Sequence, residues 1–214
     1  MVNILEQSIE ALTPIVSEAE VLNLIGSIAG NCYGSKDEEE ANKKRAINCI
    51  SRGHHSPFEH FNITLKCVVD RGTSHAIVRH RHCAFTQSST IYKRETGGLN
   101  IIGLPEIDPC SGHKVEPISA DELTTYQQQY ITYTKLLNKG IDPARARDVL
   151  PNAMATTLII TTNLREWMFI RQRRNGPGDA VRMHVWDDQL EEWFCEHYPQ
   201  ITMAFDTWYD KHPL

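Results

Sequence analysis

The sequence lacks the features of membrane and exported proteins. Its 214 residues contain no apolar run that approaches the length of a membrane span. Residues 1–6 lack the basic start of a signal peptide. The six cysteines are scattered without a CxxC pair, so neither a zinc site nor a disulfide framework is indicated. We therefore expect reduced thiols, no membrane partner and a cytoplasmic protein.

The sequence also lacks an overall excess of positive charge. The formal net charge is -5 at pH 7, which argues against a nucleic acid polymer as partner, because proteins bind such polymers by neutralising many phosphates. Residues 79–94 depart from this balance, since they contain four lysine or arginine residues, two histidines and no carboxylate. Such a run can be a solvated face, but here apolar residues interrupt it and would bury part of it. The contrast favours a discrete pocket for an anion.

The remaining composition is that of an ordinary globular chain, with 41% hydrophobic and 23% charged residues. The length suits one domain over residues 1–214. Apolar spacing and capping signals predict a chain of mixed helices and strands. The predicted helices cover 18–31, about 36–51, 73–82, 119–140, 142–150, a segment from 164 onward, and a closing pair within 185–208. The predicted strands cover 61–69 and 153–162, with at most a short strand at 100–104.

Histidines cluster in one short segment, residues 53–60, which contains His54, His55 and His60. Three histidines in seven residues could bind a metal, but no carboxylate or cysteine completes a ligand set at the usual spacing. From the residues alone, loop histidines with ordinary hydrogen-bond partners are the favoured interpretation. No metal is predicted.

A second basic segment follows residue 163. Asn163 is predicted to cap the helix that begins at 164. Four arginines in and just after this helix oppose a single acid, Glu166. A solvated basic face is therefore an alternative to a binding role for Arg165, Arg171, Arg173 and Arg174.

The first basic stretch has a specific spacing. Arg79-His80-Arg81 is followed, after seven residues, by Ser89. This arrangement resembles the RHR-x7-S signature of the flavin-dependent thymidylate synthases, the ThyX family. Three further segments resemble elements of that family in the same order, so that the resemblance covers about residues 18–194. They are residues 53–60 (GHHSPFEH), residues 147–151 (RDVLP), and Asn163-x-Arg165 with Arg174 nine residues later.

The resemblance implies an α+β fold in which helices pack on one twisted mixed sheet, assembled as a homotetramer with active sites at subunit interfaces. It also implies the reaction, C5 methylation of dUMP to dTMP, with 5,10-methylenetetrahydrofolate as carbon donor, NADPH as reductant and FAD as hydride carrier. At the matching positions, the flavin would be bound by His54, Ser56, Glu59, Arg79, His80, Arg81, Asn163 and Arg165. The nucleotide would be bound by Ser89, Arg147 and Arg174, with catalytic roles for Arg174, Arg79 and Ser89.

The chemistry of these side chains agrees in kind with that reaction. C5 of a uracil becomes nucleophilic when negative charge on O4 or N3 is stabilised, which the guanidinium fork of Arg174 can do without a covalent enzyme nucleophile. A phosphate monoester needs charge-assisted and hydroxyl donors, which Arg147 and Ser89 supply. The reduced flavin carries negative charge near N1, for which a member of the Arg79-His80-Arg81 run is a suitable neighbour.

Four positions depart from the family pattern. Ala76 stands in place of Gln or Glu, Ser88 in place of Glu, Ile91 in place of Arg, and Phe169 in place of His or Asn. Lys93 or Arg94 could supply the phosphate contact that Ile91 removes. The departures leave open an enzyme that acts on another pyrimidine nucleotide, such as UMP or dCMP, or that transfers hydroxymethyl. A protein that binds nucleotide or flavin without turnover is a further alternative.

Overall fold

The computed structural model describes residues 1–92, 97–173 and 180–213. Its helices and strands alternate irregularly along the chain. The helices are α1 (Glu18–Asn31), α2 (Glu39–Ser51), α3 (Arg71–Ile77), α4 (Ala120–Asn138), α5 (Pro143–Ala146), α6 (Leu164–Arg173), α7 (Val181–His197) and α8 (Pro199–Lys211). Two 3-10 helices span Ser56–His60 and Arg147–Val149. The strands are β1 (Val2–Leu5), β2 (Ser8–Ala11), β3 (Asn62–Asp70), β4 (Ala84–Gln87), β5 (Leu99–Ile102) and β6 (Ala155–Asn163).

Four antiparallel strands form the larger sheet, in the order β2-β3-β6-β4. The long strands β3 and β6 pair along their whole length, with Leu65 opposite Ile160 and Cys67 opposite Leu158. Side chains alternate between the two faces of a strand, and these four residues are fully buried. This inner face packs against the helices, and its two long strands confirm the predicted segments 61–69 and 153–162 to within a few residues.

The smaller sheet is the parallel pair β1 and β5, in which Val2 lies opposite Leu99. The two sheets meet where the amide of Ile102 donates to the carbonyl of Ala153 at 2.9 Å. The predicted α+β class is therefore confirmed. The structure differs from the predicted single mixed sheet in one respect, because parallel and antiparallel pairing occur in separate sheets.

The predicted starts of two long helices are confirmed by their caps. The Ser17 hydroxyl accepts a hydrogen bond from the amide of Glu20, and the Glu20 carboxylate accepts one from the amide of Ser17. Ser119 and Glu122 form the same reciprocal pair at the start of α4. α2 begins three residues later than the predicted residue 36. The predicted closing pair is α7 and α8, of which Trp186, Phe194 and Phe205 are fully buried.

The prediction for the helix at 73–82 is wrong at both ends. Asp70, which is buried, caps the helix by accepting the amide of Thr73 at 3.0 Å, so α3 begins at Arg71. The helix ends at Ile77 because the chain must then turn toward β4, and the amide of Arg79 bonds the carbonyl of Ala76 in a tight turn. The segment from Arg79 to His82 is therefore a loop, and the directions of its four side chains do not follow the periodicity of a helix.

The alternative of a solvated basic face also fails at Arg171. This arginine lies on α6, and its side chain is 2% exposed. Its guanidinium donates to Glu191 on α7 at 2.6 and 2.9 Å and to Asp206 on α8 at 3.3 Å. Arg171 therefore ties α6 to the two closing helices.

The helices α1 and α2 approach each other closely at Gly26. A Cβ atom added there would lie 1.9 Å from the carbonyl oxygen of Asn42. The buried Asn42 donates to Asn23 on α1 at 2.9 Å and accepts from Arg45 at 2.6 Å. A glycine is required at this contact because no side chain fits between the two backbones.

Of the helices within the described ranges, none has the length and apolar character needed to cross a bilayer.

Candidate functional site

A cavity of about 660 Å³ opens between the loop after α3, the start of α6 and the end of α8. Six of the eight residues that the resemblance assigns to the flavin lie in its wall. They are Glu59, Arg79, His80, Arg81, Asn163 and Arg165. The fold therefore brings together side chains from three separated segments of the sequence.

The loop that carries Arg79, His80 and Arg81 is anchored to the large sheet. Thr162 on β6 donates its hydroxyl to the carbonyl of His82 at 2.7 Å. His80 is buried, whereas both arginines are exposed to the cavity. This arrangement leaves two guanidinium groups available to an incoming anion.

The start of α6 supplies the opposite wall. The Asn163 side chain accepts from the amide of Glu166 at 2.9 Å, which confirms the predicted helix cap. Arg165 forms an ion pair with Glu59 of the first 3-10 helix, and both side chains are about half exposed. Such an exposed pair contributes little stability, so Arg165 can exchange its partner for a bound anion at small cost.

Aromatic residues of α8 close the cavity, and no sequence motif had pointed to them. Trp208 and Tyr209 lie in the wall. His55, which is buried, contacts the Trp208 ring edge-on with 4.4 Å between ring centroids. Burial lowers the pKa of the His55 imidazole. These rings give the cavity an apolar side beside its cationic side.

Glu166 is a further wall residue that sequence reasoning assigned no role. Its side chain is 12% exposed, and its Oε1 lies 3.9 Å from Nδ1 of His80. Burial raises the pKa of the Glu166 carboxyl, against the opposing effect of His82 and Arg165. Phe169, one of the departures from the family pattern, meets the His80 ring edge-on at 6.5 Å between centroids.

Ser89 lies in a second, smaller pocket of about 210 Å³. Its wall includes the hydroxyl-bearing residues Ser88, Ser89, Thr90, Thr156 and Thr157 beside apolar ones such as Leu5, Val68 and Met154. The Ser89 Oγ accepts from the amide of Ile91 at 3.2 Å, which fixes the side chain inside a turn. Within the described residues, this Ser89 pocket and the large cavity share no wall residue.

Arg147 adjoins the Ser89 pocket through Thr90. Its Nη1 donates to Oγ1 of Thr90 at 3.2 Å. Thr90 is buried, and Arg147 is half-buried. The structure therefore places Arg147 beside Thr90, the neighbour of Ser89, and the binding of one phosphate by Ser89 and Arg147 stays a prediction.

The other predicted site residues are placed differently. His54 and Ser56 are exposed and do not belong to the wall of the large cavity, so their contact with a flavin stays a prediction. Arg174, Arg94 and Lys93 lie outside the described residues. The described part of the chain holds no group of three or more His, Cys, Asp or Glu side chains that could bind a metal.

A protein-family profile described as thymidylate synthase complementing protein (Thy1) matches residues 15–181. Among curated relatives, the flavin-dependent thymidylate synthase of Clostridium tetani is 32% identical over 173 residues, which cover 70% of this chain and 68% of the relative. The flavin-dependent thymidylate synthase of Geobacter sulfurreducens is 31% identical over 144 residues. That match covers 63% of this chain and 60% of the relative.

A solved structure shares the fold. It is a UMP/dUMP methylase from Streptomyces cacaoi bound with 5-Br dUMP, with a TM-score of 0.73 and 20% sequence identity. The match covers 95% of this chain and 97% of that chain. The profile match and the Clostridium relative together establish that the chain belongs to the thymidylate synthase complementing protein family, the ThyX family of flavin-dependent thymidylate synthases.

Proposed function

We propose that this chain is a flavin-dependent thymidylate synthase. It methylates dUMP at C5 to give dTMP, takes the carbon from 5,10-methylenetetrahydrofolate and uses NADPH as reductant. The observation that carries the proposal is the large cavity, which joins Glu59, Arg79, His80, Arg81, Asn163 and Arg165 in one wall. Family membership supplies the reaction class.

The residues of the cavity fit FAD. Three guanidinium groups in the described wall, those of Arg79, Arg81 and Arg165, suit the two phosphates of the dinucleotide. The aromatic wall of Trp208 and Tyr209 suits a planar ring. When bound, FAD supplies hydride transfer, and the surrounding cations favour its negatively charged reduced form.

The nucleotide pocket around Ser89 fits a pyrimidine nucleotide. Hydroxyl donors and the adjacent Arg147 can bind a phosphate monoester. The bound 5-Br dUMP in the Streptomyces methylase, which has the same fold, supports a nucleotide of this class here. Arg174 would stabilise negative charge on the base, which raises the nucleophilicity of C5.

The protein would work as a homotetramer in which a single catalytic domain, residues 1–214, shares its sites with neighbours. The support is the separation of the two pockets, because one chain does not place Ser89 and Arg147 in the wall that contains Arg79. A second copy can bring its nucleotide pocket to the cavity of the first. A cytoplasmic location suits the six free thiols, which persist in a reducing compartment.

The test is a product assay. The purified protein is incubated with FAD, NADPH and 5,10-methylenetetrahydrofolate, together with dUMP, UMP or dCMP in parallel, and the products are identified by mass. We expect dTMP from dUMP and no product when FAD is omitted from the flavin-free protein. Methylated UMP or dCMP in preference to dTMP, or a hydroxymethylated product, would replace the proposed substrate or product. Flavin binding without any product would identify a binding protein instead of an enzyme.

A further inference from the structure

The hydroxyl of Thr156 is a buried polar group of the Ser89 pocket that the proposed function leaves unused. Thr156 lies on β6, is 6% exposed and belongs to the same pocket wall as Ser89. Its Oγ1 accepts a hydrogen bond from Nε2 of Gln87 on the neighbouring strand β4 at 3.3 Å. A hydroxyl has one proton to donate and an oxygen that accepts. The direction of the bond to Gln87 therefore decides what Thr156 offers to a ligand.

The direction of this bond is fixed by Ser74 on α3. Ser74 is fully buried, and its Oγ donates to the carbonyl of Arg71 at 2.9 Å. Because its only proton is used in that bond, the Ser74 oxygen accepts and does not donate. Gln87 therefore turns its NH2 group toward Ser74, at 2.8 Å, and the same nitrogen reaches Thr156. This chain of hydrogen bonds begins at a backbone carbonyl and ends at Thr156, whose own proton it leaves unused.

The two hydroxyls of Thr156 and Ser89 are both available as donors. Among the residues that the structure describes, the Thr156 hydroxyl donates to no acceptor. The Ser89 Oγ accepts from the amide of Ile91 and likewise keeps its own proton. The described wall of the pocket contains no carboxylate that would take up either proton. The pocket therefore suits a ligand group that consists of acceptors.

We propose that Thr156 binds the phosphate of the nucleotide by donating its hydroxyl, and that Gln87 positions this donor. A phosphate monoester is anionic near neutral pH and offers strong acceptor oxygens. The pocket of about 210 Å³ is smaller than the roughly 300–1,000 Å³ of sites that enclose a whole small ligand, so it takes only the phosphate end of a nucleotide. The inference rests on the proposed function in one respect, namely that the ligand of this pocket is a pyrimidine nucleotide.

The experiment measures the dissociation constants of the flavin-loaded protein for dUMP and for deoxyuridine. Thr156→Val removes the hydroxyl and keeps the shape of the side chain. It should weaken dUMP binding about 10- to 100-fold, the factor expected for one hydrogen bond to a charged group, and leave deoxyuridine binding unchanged. Thr156→Ser, which keeps the hydroxyl, should stay within a few-fold of the wild type. An equal loss for both ligands, or no loss for dUMP, in Thr156→Val would overturn the proposal.

Thr161→Val is the matched control. Thr161 lies on the same strand, and its hydroxyl also has a hydrogen-bond partner, the hydroxyl of Thr64 at 2.9 Å. Thr161 belongs to the described wall of neither the Ser89 pocket nor the large cavity. The affinity of this variant for dUMP should stay within a few-fold of the wild type. A loss as large as that of Thr156→Val would show that any hydroxyl removed from β6 has this effect, which would refute the assignment.

Gln87→Glu tests the positioning role in a double-mutant cycle. A carboxylate at this position accepts in place of the NH2 group, so the Thr156 proton turns toward it and away from the pocket. The variant also adds a negative charge, which acts on the phosphate with or without the Thr156 hydroxyl. We therefore expect Gln87→Glu to weaken dUMP binding at least about fivefold more in the wild type than in Thr156→Val. Equal effects in the two backgrounds would show that Gln87 does not act through Thr156.

The product assay separates this proposal from the proposed function. A phosphate-specific loss in Thr156→Val without any methylated product would leave the phosphate site standing and refute the function. Formation of dTMP together with unchanged dUMP binding in Thr156→Val would refute the phosphate site alone. A wild-type protein that binds neither dUMP nor inorganic phosphate would also refute it. If Thr156→Val does not fold, Thr156→Ala is compared with Thr156→Ser in the same titrations, with the same expected loss.

Discussion

The Nη1 group of Arg147 donates a hydrogen bond to Oγ1 of Thr90 at 3.2 Å, although the two residues lie 57 positions apart in the sequence. The bond joins the second 3-10 helix to the turn that follows β4. Thr90 is buried, so its hydroxyl orients the guanidinium at the edge of the nucleotide pocket. Ser89, the neighbour of Thr90, lies in the same pocket.

Arg147→Ala should weaken nucleotide binding about 10- to 100-fold, because a charge-assisted hydrogen bond to phosphate contributes roughly 1.5–3 kcal/mol. Binding of the unphosphorylated nucleoside should be unchanged. Titration of the variant with dUMP and with deoxyuridine measures both. Thr90→Val, which removes only the orienting hydroxyl, should have a smaller effect. An equal loss for nucleotide and nucleoside would show that Arg147 supports the fold of the pocket instead of binding the phosphate.

The same titrations decide whether another residue compensates for the phosphate contact that is lost because Ile91 replaces an arginine. If Arg94 or Lys93 supplies the phosphate contact that Ile91 removes, then Arg94→Ala or Lys93→Ala should also show a loss that is specific to the nucleotide. Should neither do so, a changed substrate would become the better explanation of Ile91.

Arg174→Lys should lower turnover of the nucleotide at least about 10²-fold while FAD content persists. Lysine keeps the charge but lacks the planar fork that would match the edge of the base. Arg173→Lys is the matched neighbour, since Arg173 lies over the Phe169 ring at 5.5 Å and is not part of the cavity wall. Its turnover should stay within a few-fold of wild type. Loss of flavin together with activity in Arg174→Lys would assign the residue a structural role.

If the active sites are shared between subunits, oligomers that contain two different variant chains should regain activity. Arg79→Ala and Arg147→Ala each lower activity at low nucleotide concentration. Co-expression of the two variants should restore part of that activity, because some sites in the mixed oligomers then combine an intact Arg79 from one chain with an intact Arg147 from another. The comparison is a mixture of Arg79→Ala with Arg165→Ala, whose changes lie in the same cavity wall. No rescue is expected there. Rescue in neither mixture would place the complete site within one chain.

Cys83 should be dispensable. Burial raises the pKa of its thiol to about 11, so almost no thiolate is present near neutral pH. Cys83→Ala should keep turnover within a few-fold, and iodoacetamide should modify Cys83 slowly in the wild type. Abolished turnover in a folded Cys83→Ala protein would instead indicate covalent catalysis.

Gly26→Ala should destabilise the protein by about 2 kcal/mol, because the added Cβ collides with the backbone of Asn42. A melting temperature lower by about 5 °C is expected from thermal unfolding. Gly97→Ala serves as control, since among the described residues, its chain neighbours aside, no atom lies within 4 Å of its added Cβ. An unchanged melting temperature in Gly26→Ala would mean that the collision is relieved without cost, and a similar decrease in both variants would mean that the collision is not its cause.

Local signals explain what the sequence predicted well. The starts of α1 and α4 follow from capping boxes, each of which spans four residues and needs no tertiary information. The start of α3 was missed because Asp70 could equally have ended a strand. Asp70 acts as the cap because the chain turns into α3 directly after β3, so that its side chain accepts from the amide of Thr73.

Distant contacts explain what was missed. Arg171 looked like part of a basic face because its partners Glu191 and Asp206 lie 20 and 35 residues away. Trp208 and Tyr209 enter the cavity wall only through the docking of α8, for which no local pattern exists. The wall residues Arg79 and Arg165 were found because a family spacing, and not a physical rule, connects them.

The pairing of β3 with β6 has a consequence for synthesis of the chain. Leu65 can pair with Ile160 only after about a hundred further residues have been synthesised, and the same delay separates Val2 of β1 from its partner Leu99. At ordinary translation rates this delay is on the order of ten seconds. During that time the apolar edge of β3 is unpaired on the ribosome, where it can recruit other nascent strands. We therefore expect the yield of folded protein in cells to depend on chaperones and on the speed of translation between residues 70 and 163.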